Sequence, residues 1–370
     1  MDIHKLLTAM ADRSASDLFI TADLPPSVKI HGELLALSSA PVSAEAAAKI
    51  VLSIMTESQR QEFKKKKELN FAIHLKGVGR FRCSAFFQRN LMGAVIRRIE
   101  SKIPDMDHLG LPSSLKDMVM SKRGLLIFVG ATGSGKSTSL AAMIGHRNKH
   151  AKGHIVSIED PIEFVHEHQS SIVTQREVGI DTESFEIALQ NTLRQSPDVI
   201  MIGEVRSRET MGHAISFAET GHLCLCTLHA NNANQALDRI LHFFPADRRE
   251  QLLMDLSLNL IGIVAQQLVP SVDGDSRRAC IELLLNTPLT ADLIRKGEID
   301  KLKDVMRKST ELGMQTFDHA LYALYLDARI SYENALAYAD SKNDLRLLIK
   351  LQSQSNPRAL DYAADDLELE

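Results

Sequence analysis

A glycine-rich segment in the first half of the chain has the composition of a phosphate-binding loop. Residues 130–137 fit the pattern G-x-x-x-x-G-K-[ST], and Thr138 follows them. The glycines let backbone N–H groups turn towards phosphate oxygens, Lys136 supplies positive charge, and the Ser137 hydroxyl is a ligand for Mg²⁺. The segment predicts a nucleoside triphosphate site made by Gly130, Ala131, Thr132, Gly133, Ser134, Gly135, Lys136, Ser137 and Thr138.

The sequence on both sides of this segment supports that interpretation. The apolar run Leu125–Val129 predicts a buried strand before the loop, and residues 140–143 favour a helix after it. A loop that opens a helix directs its N–H groups at an anion, and the helix dipole adds to the attraction. The alternative is a Gly/Ser-rich loop that fits the pattern by chance.

Carboxylates follow two further apolar segments. Residues 198–202 lead into Gly203 and Glu204, and a carboxylate at such a strand end can orient Mg²⁺ or the attacking water. Glu159, Asp160 and Glu163 follow another segment, where Pro161 excludes a helix. These carboxylates could polarise water or complete the Mg²⁺ shell. Solvated acidic side chains at strand ends are the alternative for each.

Two histidines stand at the ends of the apolar segment Leu223–Leu228. His222 at its start and His229 at its end could contact or sense a γ-phosphate, although their spacing also fits two unrelated structural histidines.

Arginines could supply the positive charge that phosphoryl transfer requires, from a moving domain or a neighbouring subunit. An ordinary surface ion pair is the alternative for any one of them. The candidates are Arg80, Arg82, Arg97, Arg98, Arg194, Arg206 and Arg208.

These side chains need a sheet to position them. From Arg123 onwards, apolar strands alternate with helical segments, which is typical of a doubly wound parallel α/β sheet. We expect strands at Leu125–Val129, His154–Ile158, Ser171–Gln175, Val199–Ile202 and Leu223–Leu228. Beyond Ile281 we expect helices at Thr290–Gly297, Phe317–Asp327 and Tyr332–Ala339.

The sequence before residue 106 predicts a small α/β domain. Alternating apolar residues indicate strands at 27–32 and 79–86, and a helix is expected from Ser43 to Phe63. The expected domains are 1–105, a linker at 106–122, an ATPase-type core at 123–285, a helical region at 286–345 and a flexible acidic extension at 346–370.

Composition limits the classes of function. Among 370 residues, 43 Lys and Arg stand against 47 Asp and Glu, so the net charge of −4 disfavours binding of nucleic acid. The four cysteines form no C-x-x-C pair, and no apolar run approaches the roughly 20 residues that span a bilayer. We expect a cytoplasmic protein without direct membrane insertion.

Four ordered motifs resemble the secretion ATPase superfamily, and within it the type IV pilus retraction ATPases of the PilT/PilU family. They are the loop at 130–138 (Walker A), Ile158–Glu163 (Asp box), the strand ending in Gly203-Glu204 (Walker B) and Gly221–His229 (His box). The resemblance covers nearly the whole chain. It includes Ala15–Leu18, Leu24–Pro26 and Gly79–Arg82 near the start and Leu312–Asp318 near the end.

The resemblance implies a fold and roles for individual residues. It implies a PAS-like α/β N-terminal domain, a RecA-like P-loop core and a helical C-terminal region. Glu163 and Glu204 would serve catalysis or the positioning of Mg²⁺ and water, with Lys136. The resemblance places Glu159, His222 and His229 near ATP, and makes Arg80, Arg82 and Arg97 candidates to act on the nucleotide of a neighbouring subunit.

The resemblance also implies partners. Family members form homo-hexameric rings that hydrolyse ATP, so we expect a motor that promotes pilus retraction and twitching motility. It would act on an inner-membrane pilus platform protein and be peripheral to the membrane through the pilus machine.

One segment departs from the PilT type. Residues 290–296 keep only Leu293-Ile294-Arg295 of an A-I-R-N-L-I-R-E-like sequence, which with the acidic extension indicates the PilU type, an accessory to a PilT-like paralogue. A nucleotide-binding regulatory subunit with little turnover is an alternative. Another is a type II secretion or pilus assembly ATPase, a class that usually carries a four-cysteine zinc clip.

Overall fold

A computed structural model describes residues 2–30, 32–99, 103–274 and 276–353. The chain divides into two compact units. The first spans residues 1–102 together with 162–165, and the second contains residues 103–161 and 166–370. His31, at the end of an expected strand, and the part of the acidic extension beyond residue 353 lie outside the described residues.

The first unit is built on an antiparallel sheet with three helices. Its strands are β1 Asp17–Ile20, β2 Ser27–Ile30, β3 Glu33–Ala36, β4 Glu68–Leu75, β5 Gly79–Gln88 and β6 Leu91–Ile99, in the order β3-β2-β1-β6-β5-β4. Its helices are α1 Ile3–Asp12, α2 Ala44–Ser53 and α3 Glu57–Lys66. Along β5, Phe81, Cys83 and Ala85 are fully buried, whereas Arg80 and Arg82 alternate with them on the other face.

The single helix expected from Ser43 to Phe63 is wrong, because α2 and α3 are separate. Thr56 begins α3 with a reciprocal cap. Its hydroxyl accepts a hydrogen bond from the Gln59 backbone N–H at 3.3 Å, and the Gln59 side chain accepts one from the Thr56 N–H at 2.9 Å. These side-chain bonds replace the helical bonds that a continuous helix would make, so apolar periodicity alone did not reveal the break.

The second unit is built on a mostly parallel sheet. Its strands are β7 Gly124–Val129, β8 Gly153–Glu159, β9 Ser171–Glu177, β10 Val199–Ile202, β11 Leu223–Leu228, β12 Leu260–Pro270 and β13 Arg277–Leu285. The order is β13-β12-β7-β11-β10-β8-β9, and β13 alone runs antiparallel to its neighbour. The five predicted strands are confirmed to within two residues at each end.

Two strands of this sheet, β12 and β13, were not predicted. The expectation that the chain is helical beyond Ile281 is wrong up to Leu285, where β13 ends. The apolar run in β12 is buried on both faces, and a continuous apolar run cannot be assigned to strand or helix by its period.

Helices cover both faces of the seven-stranded sheet. Leu125, Ile127 and Val129 of β7 pack against residues of α6 to α9, whereas Leu126 and Phe128 pack against α4 and α5. No helix among the described residues has the length and apolar composition needed to cross a membrane. The helices are α4 Ser114–Val119, α5 Lys136–His150, α6 Phe185–Thr192, α7 Arg208–Glu219, α8 Ala233–Phe243, α9 Arg249–Asn259, α10 Pro288–Lys296, α11 Leu302–Lys308, α12 Phe317–Leu326, α13 Tyr332–Ala337 and α14 Lys342–Ser353. The three predicted helices of the C-terminal region, α10, α12 and α13, are confirmed to within two residues.

A buried carboxyl group lies where β13 meets the C-terminal helices. Glu282 is 1% exposed, and its Oε1 accepts a hydrogen bond from the Ala233 N–H at 2.9 Å. Burial raises the pKa of Glu282 to about 7, and the neighbouring charge of Asp340 adds to this, while the Ala233 N–H and Lys303 oppose it. Glu282 therefore holds a proton in the folded protein at a pH where the unfolded chain has lost it.

We expect Glu282→Gln to stabilise the protein above about pH 7 and to have little effect near pH 5. Between the usual carboxyl pKa of 4.5 and about 7, the folded state binds more protons than the unfolded state, so this group's contribution falls as pH rises. At pH 8 the buried carboxyl of Glu282 lowers the free energy of unfolding by about 1–3 kcal/mol, and an amide, which does not ionise, avoids this loss. Thermal melts across this pH range measure it, with the exposed Glu311→Gln as control. A difference between Glu282→Gln and wild type that does not change with pH would contradict the expectation.

Candidate active site

The phosphate-binding pattern forms a loop between β7 and α5. All six residues of β7 are buried, and α5 begins at Lys136 with Gly135 as its N-cap. Gly133 and Gly135 adopt φ values of +78° and +86°, which favour glycine. A Cβ atom on Gly135 would also lie 2.7 Å from Nε2 of Gln266. The predicted strand and helix on either side of the loop are thus confirmed, and Gly135 is required both by its conformation and by the available space.

The loop presents donors and hydroxyl groups at the start of a helix. The Lys136 ammonium donates to the carbonyl oxygens of Gly130 at 2.8 Å and Ala131 at 2.9 Å. Residues 131–133 are exposed, and Ser137 and Thr138 lie half-buried in the first turn of α5. The Ser134 hydroxyl is buried and has no hydrogen-bond partner within the described part of the chain. This arrangement fits a bound phosphate group, because the first N–H groups of a helix have no partner within the helix.

The parallel strands bring three further side chains to the same edge of the sheet. Ile158 of β8, Ile202 of β10, Cys226 of β11 and Ile127 of β7 are in register, so Asp160, Glu204 and His229 follow at the carboxyl ends of the strands. Glu204 is central among them. Its Oε1 lies 3.1 Å from Nε2 of His229, and its Oε2 accepts a hydrogen bond from Arg206 at 2.6 Å. Arg206 also lies 3.5 Å from Asp160.

The charges around Glu204 keep it ionised. Burial on its own would raise the pKa of this carboxyl, whose side chain is 19% exposed. The hydrogen bond and charge of Arg206 outweigh that effect, with His229 and Lys136 contributing, so the pKa of Glu204 lies below its usual value. The site therefore holds a carboxylate that can accept hydrogen bonds from water or contribute to a cation site.

Backbone contacts hold Glu204 and His229 in place. The Thr227 hydroxyl donates to the Gly203 carbonyl, and the Thr227 carbonyl accepts from the Val205 N–H at 2.8 Å. A Cβ on Gly203 would lie 3.0 Å from the Cα of Glu159, so the close approach of β10 to β8 requires glycine there. These bonds lock the ends of β10 and β11 together.

The two other glutamates of the acidic segment occupy different environments. Glu159 is 8% exposed at the end of β8 and accepts hydrogen bonds from the Ser157 hydroxyl at 2.7 Å and the Gln175 amide at 3.1 Å. Glu163 is exposed and lies in the segment 162–165, which belongs to the first unit.

The structure does not bring His222 to the phosphate-binding loop of the same chain. Its carbonyl accepts a hydrogen bond from the N–H of Gly124, at the start of β7, whereas the loop follows the end of that strand. At about 3.3 Å per residue, the strand separates the two by roughly 17 Å. The ring Nδ1 of His222 lies 3.1 Å from the Thr220 hydroxyl and 3.2 Å from the Phe217 carbonyl.

The three candidate trans-acting arginines lie in the first unit on the sheet face opposite Phe81. Arg82 is directly across from Arg97 in the β5–β6 pair, and Arg80 precedes Arg82 by two residues. Arg97 is 69% exposed and donates to the buried carboxylate of Asp17 at 2.8 Å. Among the described residues, no ion pair of Arg80 or Arg82 is found.

Sequence reasoning missed two contacts at this site. Arg206 was considered only as one of several arginines, although a basic residue two positions after a buried strand end is close enough to reach the preceding carboxylate. Gln266 of β12 contacts the loop at Ser134 and the first turn of α5 at Ser139. Nothing in its local sequence pointed to the loop, because the contact depends on the pairing of β12 with β7.

A cavity of about 690 Å³ opens beside the loop within the second unit. Gly135, Thr138 and Ser139 line it on the loop side. Leu268 of β12 and Arg278 of β13 line its other side. Its volume and its mixed apolar and polar lining are in the range of sites for small organic ligands.

Comparison with known proteins places this geometry in a family. Residues 1–317 match the model of the family described as "Type II/IV secretion system protein". The chain belongs to this family. The type IV pilus ATPase PilU of Pseudomonas aeruginosa is 64% identical over 370 residues, which cover 100% of this chain and 97% of that protein.

Further relatives in the family include PilT. The type IV pilus retraction ATPase PilT of Pseudomonas aeruginosa is 40% identical over 335 residues, covering 90% of this chain and 97% of that protein. A crystal structure of the pilus retraction motor PilT with bound ADP has a TM-score of 0.88 at 38% identity and covers 94% of this chain and 99% of that chain. This chain is therefore an ATPase of the PilT/PilU type IV pilus family, with the expected α/β fold.

We expect Arg206→Ala to move the acidic limb of the ATPase pH profile to higher pH. Without Arg206, burial of Glu204 is no longer outweighed and the pKa of its carboxyl rises, so protonation begins at higher pH. Initial rates of phosphate release between about pH 5 and pH 8 measure the shift.

Arg208→Ala is the matched control, because Arg208 is an exposed arginine two residues further along and stacks over Phe244. The interpretation fails if Arg206→Ala leaves the acidic limb where it is in wild type, or if Arg208→Ala moves it equally.

Proposed function

We propose that this chain works as a hexameric ATP-hydrolysing motor that promotes type IV pilus retraction and twitching motility, as an accessory to a PilT-like ATPase. One observation carries the proposal. Glu204 lies at the carboxyl edge of a P-loop sheet with Lys136 and His229, in a chain that is 64% identical to a PilU ATPase. An ionised carboxylate beside a phosphate-binding loop is what ATP hydrolysis requires.

The residues fit distinct parts of the hydrolysis reaction. The N–H groups of residues 130–138 and the Lys136 ammonium would hold the phosphates of ATP. Ser137 and Glu204 would hold Mg²⁺ with those phosphates, and the ion would neutralise charge on the transferred phosphoryl group. Glu204, with its contact to His229, is the residue suited to orient the attacking water. Glu163 would assist in positioning water or Mg²⁺, and Glu159 would support the nucleotide site from the adjacent strand.

The ring assembly would supply what a single chain lacks. Arg80, Arg82 and Arg97 would approach the nucleotide of a neighbouring subunit, because a cation delivered at the interface couples subunit motion to hydrolysis. His222 lies at the opposite edge of the sheet from the loop, so its contact with nucleotide would also be with a neighbour's.

The motor needs a partner in the membrane. We propose that the ring acts in the cytoplasm on an inner-membrane pilus platform protein, peripheral to the membrane and together with the PilT-like paralogue. The net charge of −4 argues against nucleic acid as the substrate on which it works.

Cells that carry a Glu204→Ala allele are expected to lose twitching motility to the same degree as cells deleted for the gene. The substitution removes the carboxylate suited to hydrolysis while the phosphate-binding loop stays intact. Pilus length and colony spreading, in backgrounds with and without the PilT-like partner, measure the outcome. Wild-type motility with the Glu204→Ala allele would instead support a regulatory subunit with little turnover. Unchanged motility in the deletion itself would overturn the retraction role.

Mixing two inactive variants tests whether Arg82 acts between subunits. An Arg82→Ala chain keeps its own Lys136 and Glu204, and a Lys136→Ala chain keeps Arg82, so mixed rings contain complete interfaces. In an equal mixture about half of the subunits keep Lys136, and about half of their neighbours keep Arg82. About a quarter of the interfaces are then complete, so recovery to roughly a quarter of wild-type ATPase activity is expected.

Two controls bound this result. A mixture of Lys136→Ala and Glu204→Ala chains should stay inactive, because both residues belong to one chain's site. Arg89→Ala changes an exposed arginine in the turn of the same β5–β6 hairpin and should have wild-type activity by itself. Absence of recovery on mixing Arg82→Ala with Lys136→Ala would count against action between subunits.

A further inference from the structure

Gln266 reaches the phosphate-binding loop from β12, next to β7 in the sheet. The side chain is 3% exposed. Its Oε1 accepts a hydrogen bond from the Ser139 hydroxyl at 2.8 Å, and its Nε2 donates to the Ser134 carbonyl at 2.9 Å. Ser134 lies in the loop, and Ser139 lies in the first turn of α5. One amide group thus bridges the loop and the helix that follows it.

The orientation of this amide follows from its partners. A carbonyl oxygen only accepts hydrogen bonds, so the NH₂ of Gln266 must face Ser134, and its oxygen then faces the Ser139 hydroxyl, which can donate. Both partners are matched only by a side chain that donates at one atom and accepts at the other. A carboxylate of the same shape would place a second acceptor against the Ser134 carbonyl.

The Ser134 carbonyl controls the direction of a donor in the loop. In a planar trans peptide the C=O and the N–H point in opposite directions. A bond that fixes the Ser134 carbonyl towards Gln266 therefore fixes the Gly135 N–H away from it. Gly135 has a φ of +86° and, as a glycine, can adopt many backbone conformations. A contact from outside the loop is therefore needed to select one orientation of the Ser134–Gly135 peptide.

The fit between Gln266 and the loop is also steric. The Cβ of any larger residue at position 135 would lie 2.7 Å from Nε2 of Gln266, and at Gly130 it would meet the Gln266 backbone carbonyl. The two glycines of the phosphate-binding pattern are thus packed against this single residue. The position of β12 and the shape of the loop depend on each other.

We propose that Gln266 is a positioning residue that holds the phosphate-binding loop in its nucleotide-binding conformation. It does not act on the reacting atoms. Its role is to select the orientation of the Ser134–Gly135 peptide before ATP or ADP arrives, which lowers the ordering cost of binding. The inference rests on the nucleotide-binding role of the loop, but not on pilus retraction or on the oligomeric state.

Nucleotide affinity tests this role. Gln266→Ala should raise the Kd for a fluorescent ADP analogue, and the KM for ATP, roughly 10-fold, since one hydrogen bond to the loop and one to α5 are lost. The kcat at saturating ATP should stay within about threefold of wild type, because bound nucleotide restores the loop. Gln266→Glu, which keeps the shape but reverses the polarity at Ser134, should weaken binding at least as much.

A matched control lies at the next position. Gln267 has the same side chain on the same strand, but its Nε2 donates to the Tyr338 carbonyl at 3.1 Å, away from the loop. Gln267→Ala should leave the Kd unchanged. Ser139→Ala removes one of the two bonds to Gln266 and should raise the Kd by about threefold, which gives a second readout if Gln266→Ala folds poorly.

Two results would overturn the proposal. One is a Kd for Gln266→Ala or Gln266→Glu within about twofold of wild type in folded protein. The other is an equal loss with Gln267→Ala, which would indicate general weakening of β12. The wild-type protein is titrated with the ADP analogue in the same experiment. If it binds the analogue, either of these results counts against the role of Gln266 alone, because the motility measurements test the motor proposal independently.

Discussion

The alignment of parallel strands at one edge of the sheet determines the rest of the site. Because β8, β10, β11 and β7 run side by side in register, the phosphate-binding loop, Glu204 and His229 leave the sheet at the same level. None of these side chains is close to another in sequence. A shift of one residue would turn the side chains of the shifted strand to the other face, and such a shift between β10 and β11 would separate Glu204 from His229. Buried packing on both faces of β7 opposes such a shift, since alternate residues of that strand fill two different clusters.

Charge balance at this edge explains how a half-buried carboxylate can be stable there. Taking Glu204 partly out of water favours its neutral form, and the adjacent Arg206 guanidinium reverses that preference. Lys136 meanwhile donates to the carbonyls of Gly130 and Ala131. A triphosphate that enters the loop brings several negative charges and competes for the same cations. Binding of nucleotide would therefore exchange the two carbonyl contacts of Lys136 for contacts with phosphate.

The sequence was sufficient to predict the parts of the fold and site that depend on local patterns. The strand before the phosphate-binding pattern, the helix after it and five strands of the core were predicted correctly from short apolar runs and local propensity. The break at Thr56 was missed because side-chain caps, and not apolar spacing, decide it. The environment of Gln266 and the contact between Glu204 and His229 could not be predicted, since both depend on which strands are neighbours. His222 shows the same limit. The segment between the two histidines was predicted correctly as a strand. The two ends of a strand lie at opposite edges of the sheet, so His222 and His229 cannot both lie beside the phosphate-binding loop of the same chain.

The arginines of the first unit differ in what their contacts imply. Arg97 donates to Asp17, whose side chain is only 7% exposed, so removal of Arg97 leaves a nearly buried carboxylate without its cation. Loss of one partner of such a pair is strongly destabilising, and a fall in activity after this change would have two causes. Arg82 lies directly opposite Arg97 on the same face, where two like charges repel each other. Only Arg97 has a described ion pair to offset that repulsion. An anion brought against this face would relieve the repulsion at Arg82 most directly, because Arg97 already shares its charge with Asp17. Arg82 is therefore the arginine whose contribution to an interface with a nucleotide is best separated from the stability of its own domain.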